Sequence, residues 1–396
     1  MYYKHKRILF KFSCLKQGER NECIYMRKIF FAIGNRAHYA RVKPIITILK
    51  NNVDFKIVVY DSAIYTLNDI LINDGYIKKC IFLDTFEEGS NLNSMTKCVG
   101  NAIIKFSDVI TNYQPDIMVV IADRYEILAP AIAARLMNIC LVHIQGGELT
   151  GTIDDAVRHT VSKLSNYHFV SNEKSEDVLI NMGENKKNIF ITGCPTIDLL
   201  ENNKKEMREK SAYFLKKLNF NENERFILVN YHPETTDIES NYTNILKLYE
   251  KIKEFNMKMI WLEPNCDAGS DKISNFIEEI KKENSNIVFI KNLEATTYLG
   301  LVDCCSCIIG NSSVGIREAS YLGTPSISIG SRQQNRQVGE NVIRVSNKCE
   351  KLIKILNMQI NHGKYKSSYL YGNGHACENI AELLEELEIK NVKFYT

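Results

Sequence analysis

The sequence is poor in the features that mark disordered, fibrous or metal-stapled chains. Only 7 of its 396 residues are proline and one is tryptophan, so no proline-rich linker is present. Twelve cysteines form no Cys/His array of zinc-finger spacing, and no secretory signal precedes them, which points to reduced, cytoplasmic thiols and no metal. Neither sign of charge is in excess: 50 basic and 47 acidic residues leave +3, without the dense basic face of a duplex-binding protein, so nucleic acid is not expected as a partner. No membrane partner is expected either. The first 25 residues hold an apolar run too short for a secretory core and no small-residue cleavage site. They read as a dispensable extension, with translation starting at Met26.

What remains is a globular composition, 45% hydrophobic and 24% charged, long enough for two domains of roughly 200 residues. From Met26 short apolar runs alternate with stretches of helical period, the pattern of a doubly wound, mainly parallel α/β sheet. KIFFAIG, FKIVVYD, KCIFLD, PDIMVVIAD, CLVHIQ and YHFVSN read as strands, and NIFITG closes the first half. The lysine-rich stretch from about 203 to 223 marks the crossing. RFILVNYH, MKMIWLEPN, NIVFIKN, DCCSCIIGN and PSISIGS are the strands of a second series. The expected divisions are 1–25, an extension; 26–205, a first Rossmann-like domain; 206–375, a second; and 376–396, a final helix. In the first domain Tyr39, Val42, Ile45, Ile46 and Leu49 keep helical spacing, with Pro44 suggesting that the regular helix starts just before it. Read as a strand, LVDCCSCIIG sends the Cys304, Cys305 and Cys307 thiols to opposite faces, which argues against a metal site.

Ligands of such sheets bind beyond the carboxyl ends of the strands. Gly34-Asn35-Arg36, Asp123-Arg124, Gln145-Gly146-Gly147-Glu148, His232, Pro264-Asn265 and Gly310-Asn311-Ser312-Ser313 all follow strands. GNSSVGIREASYLGTP is a strand, a small-residue turn and a helix ending at Gly323; it suits an anionic diphosphate or a plain helix cap. Glu318 can accept ribose hydroxyls or pair with Arg317. Arg332 and Arg336 can reach phosphate, and Arg36 can neutralise a leaving diphosphate. Asp123 is a strand-end carboxylate, either a general base or a turn residue paired with Arg124. In HIQGGELTGTIDDAVRH, Thr152 and Asp155 form a capping-box variant. Ile153, Val157, Val161 and Leu164 make the buried stripe, and Asp154 and Arg158 can pair. Capping leaves His143, Gln145, Glu148 and His159 unexplained.

The motifs NRAHYARVKP, ADRYEILAPAIAARLMN, HIQGGELTGTIDDAVRHTVSKLS, GCPTID, HPETTD, PNCDAGS, GNSSVGIREASYLGTPSISIGSRQ and GENV, in this order across residues 26–390, resemble the hydrolysing UDP-N-acetylglucosamine 2-epimerases of sialic-acid-type pathways. The resemblance implies two Rossmann-like domains facing a cleft (GT-B type), with the last helix packing back on the first. It implies a UDP-sugar in the cleft and release of UDP with inversion at C2, through loss of the C2 proton to a glycal and then hydration. No redox cofactor is needed, and we expect a homo-oligomer, dimer or tetramer. On matching positions Asp123 and Asp154 become acid–base residues, with Asp155 their neighbour; Arg36, Arg124, His232, Asn265, Ser312, Ser313, Glu318 and Arg332 become substrate-binding residues. Three positions depart from the family pattern. Gln145 stands where a catalytic glutamate is usual; either Glu148 or an aspartate moves the proton in its place, or Gln145 only orients substrate. Ala122 replaces glycine before Asp-Arg, and His38 replaces a small or acidic residue. These departures suit a 2,4-diacetamido-trideoxyhexose on the way to a legionaminic-type acid, although UDP-N-acetylglucosamine is the first expectation. Non-hydrolysing epimerisation, transfer to an acceptor and catalytically silent binding are the alternatives. The glycines of the loop are expected to let backbone approach the sugar.

Overall fold

The computed structural model describes residues 26–87, 91–235, 237–264, 268–281, 284, 286–291, 293–391 and 393. Residues 1–25 and Asn265 lie outside the described residues, and so do the expectations placed on them. Seven parallel strands form the first sheet: β1 (Lys28–Ile33), β2 (Asp54–Tyr60), β3 (Cys80–Leu83), β4 (Ile117–Ile121), β5 (Cys140–Ile144), β6 (Tyr167–Val170) and β7 (Ile189–Ile191). Six form the second: β8 (Phe226–Asn230), β9 (Lys258–Leu262), β10 (Ile287–Ile290), β11 (Cys307–Gly310), β12 (Ser326–Ile329) and β13 (Val342–Val345). The central strands are mostly apolar because helices cover both faces; IMVVI of β4 is buried at every position.

The strand orders are β3-β2-β1-β4-β5-β6-β7 and β10-β9-β8-β11-β12-β13. Each reverses direction at its centre, between β1 and β4 and between β8 and β11, which opens a crevice beyond those strand ends. The Gly34–Arg36 and Asp123–Arg124 loops meet at the first crevice. His232 and the 310–313 loop meet at the second.

The last helix, Ala376–Glu386, returns to the first sheet. Ile380, Ala381 and Leu384 share a core with Val42, Ile45 and Leu49 of the helix Arg36–Leu49. Its N-terminus is capped from a distance: the Asp198 carboxylate accepts from the Ala376 N–H (3.0 Å) and the Cys377 N–H (2.5 Å), a contribution of about 1 kcal/mol.

Four local expectations are corrected. The helix around Pro44 starts at Arg36, capped by Asn35; its buried stripe outweighs the one hydrogen bond that proline forfeits. Cys304 ends the helix Ala295–Cys304, Cys305 caps it and only Cys307 lies in a strand, because the Cys305 N–H donates to the Leu301 carbonyl at 2.9 Å. The strand β13 has no counterpart in the sequence reading: it is a four-residue edge strand whose Arg344 is exposed. Ile153 is 47% exposed, so the buried stripe of the helix Ile153–Leu164 begins at Val157.

Candidate active site

At the end of β4 the chain turns through Ala122 in the left-handed region, φ 72°, and presents Asp123. Arg158, fully buried on the helix Ile153–Leu164, donates Nη2–H to Asp123 and Nη1–H to Asp155 (2.7 Å) and to the Glu148 carbonyl (2.5 Å). Arg158 therefore pairs with Asp123 and Asp155 rather than with Asp154 as the spacing suggested. Asp155 also accepts from the Thr150 and Gly151 N–H groups at 2.7 Å each. It closes the cap one and two residues further back than an ordinary capping box, while Thr152 accepts from the Asp154 N–H (3.3 Å). Arg124 donates to Glu126 (2.9 Å), not to Asp123. Arg36, in the first turn of its helix, is partly exposed at the crevice.

His143 is structural. Its Nε2 lies 2.9 Å from the Ala122 carbonyl and its Nδ1 3.0 Å from Ser162 Oγ, and burial pushes the imidazole down to about 3. His159 is likewise lowered by burial and by Arg158. Gln145, 1% exposed, donates Nε2–H to Cys194 Sγ (2.8 Å) and accepts from Arg41 (3.2 Å). The protein's own packing already demands the glycines after it: a Cβ on Gly147 would stand 2.2 Å from the Ser175 carbonyl oxygen, and one on Gly146 2.8 Å from Ser162 Oγ. Glu148, 5% exposed, accepts from Ser171 Oγ (3.0 Å).

The second half answers with guanidiniums. Arg336 Nη1 lies 2.8 Å from Glu148 Oε2, and its Nη2 3.7 Å from Asp123. Arg317 is 3.6 Å from Glu148 and Arg332 3.8 Å from Asp154. Arg332 also donates to the Asn311 carbonyl (3.1 Å). The Asn311 side chain accepts from the His232 N–H (2.7 Å) and donates to the His232 carbonyl (2.8 Å), locking the β8 and β11 loops together. Ser313 Oγ accepts from Arg317 (3.2 Å), and Ser312 caps the turn Ser313–Gly315. Glu318 is 3% exposed, and its Oε2 has no hydrogen-bond partner among the described residues.

Burial alone would raise the Asp123 carboxyl; Arg158, Arg336 and Arg317 overcome it and hold the group far below the usual carboxylate range. Burial against Arg336, Arg317 and Arg158 likewise leaves Glu148 low. For Asp155, burial is offset mainly by hydrogen bonds from Thr150 and Gly151. Burial also opposes the charge of Arg317, yet Glu148 and Glu318 raise it above its ordinary value.

The structure thus brings Asp123, Glu148, Asp154 and Asp155 to one wall and Arg332, Ser313 and Glu318 to the other, with Gln145 behind the first wall. Sequence reading had no role for Arg41 or Glu126 and gave Arg158 and Arg317 only local pairs. A buried arginine on a helix face is the signal that could have marked Arg158, but its burial shows only once the helix is packed.

Two doubly wound sheets with a cleft between their switch points define a GT-B-like α/β fold. The model of the family described as UDP-N-acetylglucosamine 2-epimerase matches residues 50–385. The UDP-N,N'-diacetylbacillosamine 2-epimerase (hydrolyzing) of Legionella pneumophila is 32% identical over 92% of this chain and 97% of its own. The GDP/UDP-N,N'-diacetylbacillosamine 2-epimerase (hydrolyzing) of Campylobacter jejuni is 35% identical over 63% of this chain and 65% of its own. The Methanocaldococcus jannaschii UDP-GlcNAc 2-epimerase, solved in complex with UDP-GlcNAc and UDP, superposes with a TM-score of 0.78 at 22% identity, covering 90% of this chain and 99% of that one. The chain belongs to the UDP-N-acetylglucosamine 2-epimerase family.

Proposed function

We propose that the chain is a hydrolysing 2-epimerase of a UDP-linked 2-acetamido sugar, converting it and water into UDP and the free 2-epimeric sugar. One observation carries the reading: ionised carboxylates on one wall of the cleft face arginines on the other. Elimination needs both. Asp123 takes the C2 proton, and the electron pair of that C–H bond forms the C1–C2 double bond of a glycal. The C1–O bond breaks, and the diphosphate leaves with its electron pair toward Arg336 and the Ser312–Ser313 turn, while Arg332 holds it equally in substrate and product. Asp154 or Glu148, protonated from solvent once the cleft has opened, delivers a proton to the opposite face of C2; water adds at C1 and gives its own proton up to the emptied carboxylate, and Asp123 returns the C2 proton to solvent. Asp123 is a weak base while Arg158 and Arg336 hold it, so the reaction requires the cleft to open and exchange Arg336 for substrate. Gln145 moves no proton; it positions Arg41 and the wall behind the sugar. Glu318, whose Oε2 has no partner among the described residues, accepts from the ribose.

The names of the Legionella and Campylobacter relatives favour UDP-N,N'-diacetylbacillosamine as the substrate. UDP-N-acetylglucosamine is the second reading, supported by the family description. Incubation with each, followed by product identification by NMR, is expected to give UDP and free 2-epimer in equal amounts. An intact UDP-linked 2-epimer as sole product would overturn the hydrolytic reading.

A further inference from the structure

His38 follows the N-cap Asn35 by three positions. Its backbone N–H donates to Asn35 Oδ1 at 3.0 Å, which fixes how the Asn35 amide is turned. Asn35 Nδ2 then donates to Glu126 Oε1 at 2.7 Å and lies 3.0 Å from His38 Nε2. An amide nitrogen only donates, so Nε2 accepts and the ring proton sits on Nδ1. The ring is 1% exposed, and Nδ1 has no partner among the described residues. A buried donor with nothing to meet is rare in proteins, and a ligand acceptor accounts for it.

Asn35, which meets Nε2, and Arg124 both donate to Glu126, and this chain sets the ring at the crevice beyond β1 and β4. After burial itself, the groups acting on the ring are Arg41, Arg124 and Asp123, and together they leave it neutral, at about 3. These side chains line the cleft at the end of β1 and β4. The guanidiniums suit an anionic diphosphate; a neutral N–H suits a neutral carbonyl. Beside the group that deprotonates C2, the nearest neutral acceptor on the substrate is the acyl oxygen of the C2 acetamido substituent. We propose that His38 Nδ1–H donates to this oxygen and makes His38 a specificity residue for 2-acetamido over 2-hydroxy sugars. The proposal rests on the cleft reading given above.

Titration calorimetry in an Asp123→Asn background, where ligand is not consumed, tests it with UDP-N-acetylglucosamine, UDP-glucose and UDP. The parent is expected to prefer the acetamido sugar over UDP-glucose by about tenfold or more. His38→Asn, whose amide N–H takes the place of Nδ1–H, should keep that preference. His38→Gln, which can still accept from Asn35 but offers no donor at the Nδ1 position, should lose about tenfold on UDP-N-acetylglucosamine with UDP unchanged. Preference kept by His38→Gln and lost by His38→Asn would reduce His38 to a helix cap and overturn the proposal. Equal loss for all three ligands would move the donor to the diphosphate and overturn it too. A parent that binds none of the three sinks the nucleotide-sugar reading and the proposal with it, whereas a preference indifferent to His38 sinks the proposal alone.

Discussion

The helix Ile153–Leu164 has a buried charge cluster at each end, and the two differ in who supplies the partners. Its N-terminal end joins Asp155 and Arg158 to Asp123 and, across the cleft, to Arg336. Beyond its C-terminal end Glu184 accepts from Lys393 (2.5 Å) and lies 2.9 Å from Lys163 Nζ and 3.0 Å from His168 Nε2. Lys393 also donates to the Ser162 and Lys163 carbonyls, fastening the segment after the last helix. Burial and shifted ionisation are common to both ends, so neither marks chemistry. What separates them is exchangeability: pairs that cross a cleft can be traded for a ligand, and pairs within one half cannot.

The contrast breaks most visibly at Asp123. Asp123→Asn should lower turnover on the order of a thousandfold while UDP affinity, read by calorimetry, changes little. Equal losses of UDP binding and turnover would show that the cleft cluster holds the nucleotide rather than the reacting carbon.

Glu184→Gln should do the reverse, costing about 3 kcal/mol of stability by leaving the buried Lys393 ammonium without its anion, with kcat of the folded fraction unchanged. Burial would raise the Glu184 carboxyl, but hydrogen bonds from His168, Lys393 and Lys163 bring it from 4.5 to about 2. The folded value lies below the unfolded one, so its stabilisation is complete above about pH 4.5 and is lost as pH falls through about 2. Urea unfolding across that window should show a steep fall in the native protein and a shallower one in the variant.

The two ends were not equally legible beforehand. Strand-end logic located Asp123, Glu148, His232 and Ser313, because apolar runs and their punctuation mark where strands stop. The cap at Thr152 and Asp155 was legible for the same local reason. Partnership across the cleft was not: no spacing rule connects Arg336 with Asp123, 213 positions apart, and the pairing Asp154–Arg158 was the wrong choice among two adjacent aspartates. The Glu184 cluster was invisible, since Lys393 arrives from the far end of the chain. The helix through Pro44 shows the opposite failing, a strong local rule overridden by a buried stripe.

Arg332 sharpens the comparison at a smaller scale. It touches Asp154 and the Asn311 carbonyl but no reacting-carbon candidate on its own wall. Arg332→Ala should raise KM about tenfold through a lost charge-assisted contact to the diphosphate, with kcat within roughly threefold. Steady-state kinetics that show kcat falling instead would place Arg332 in the bond-breaking step.

The smallest expected effect concerns Ala122, the residue that turns the chain into Asp123. A Cβ in the left-handed region costs roughly 1–2 kcal/mol. Glycine would relieve this but lose about 0.5–1 kcal/mol to unfolded-state freedom and about 0.8 kcal/mol for a buried methyl group. The terms nearly cancel, so Ala122→Gly should shift unfolding by under about 1 kcal/mol. Asp123 is held from the side-chain end by Arg158, and the turn itself by the Ala122 N–H to the Ile144 carbonyl (3.0 Å) and by the His143 ring on the Ala122 carbonyl. None of these contacts uses the methyl group. Turnover should therefore stay within about threefold of the native enzyme. A tenfold fall at unchanged stability would mean that stiffness of the backbone at Ala122, rather than the ion pairs around the carboxylate, aims Asp123 at its proton.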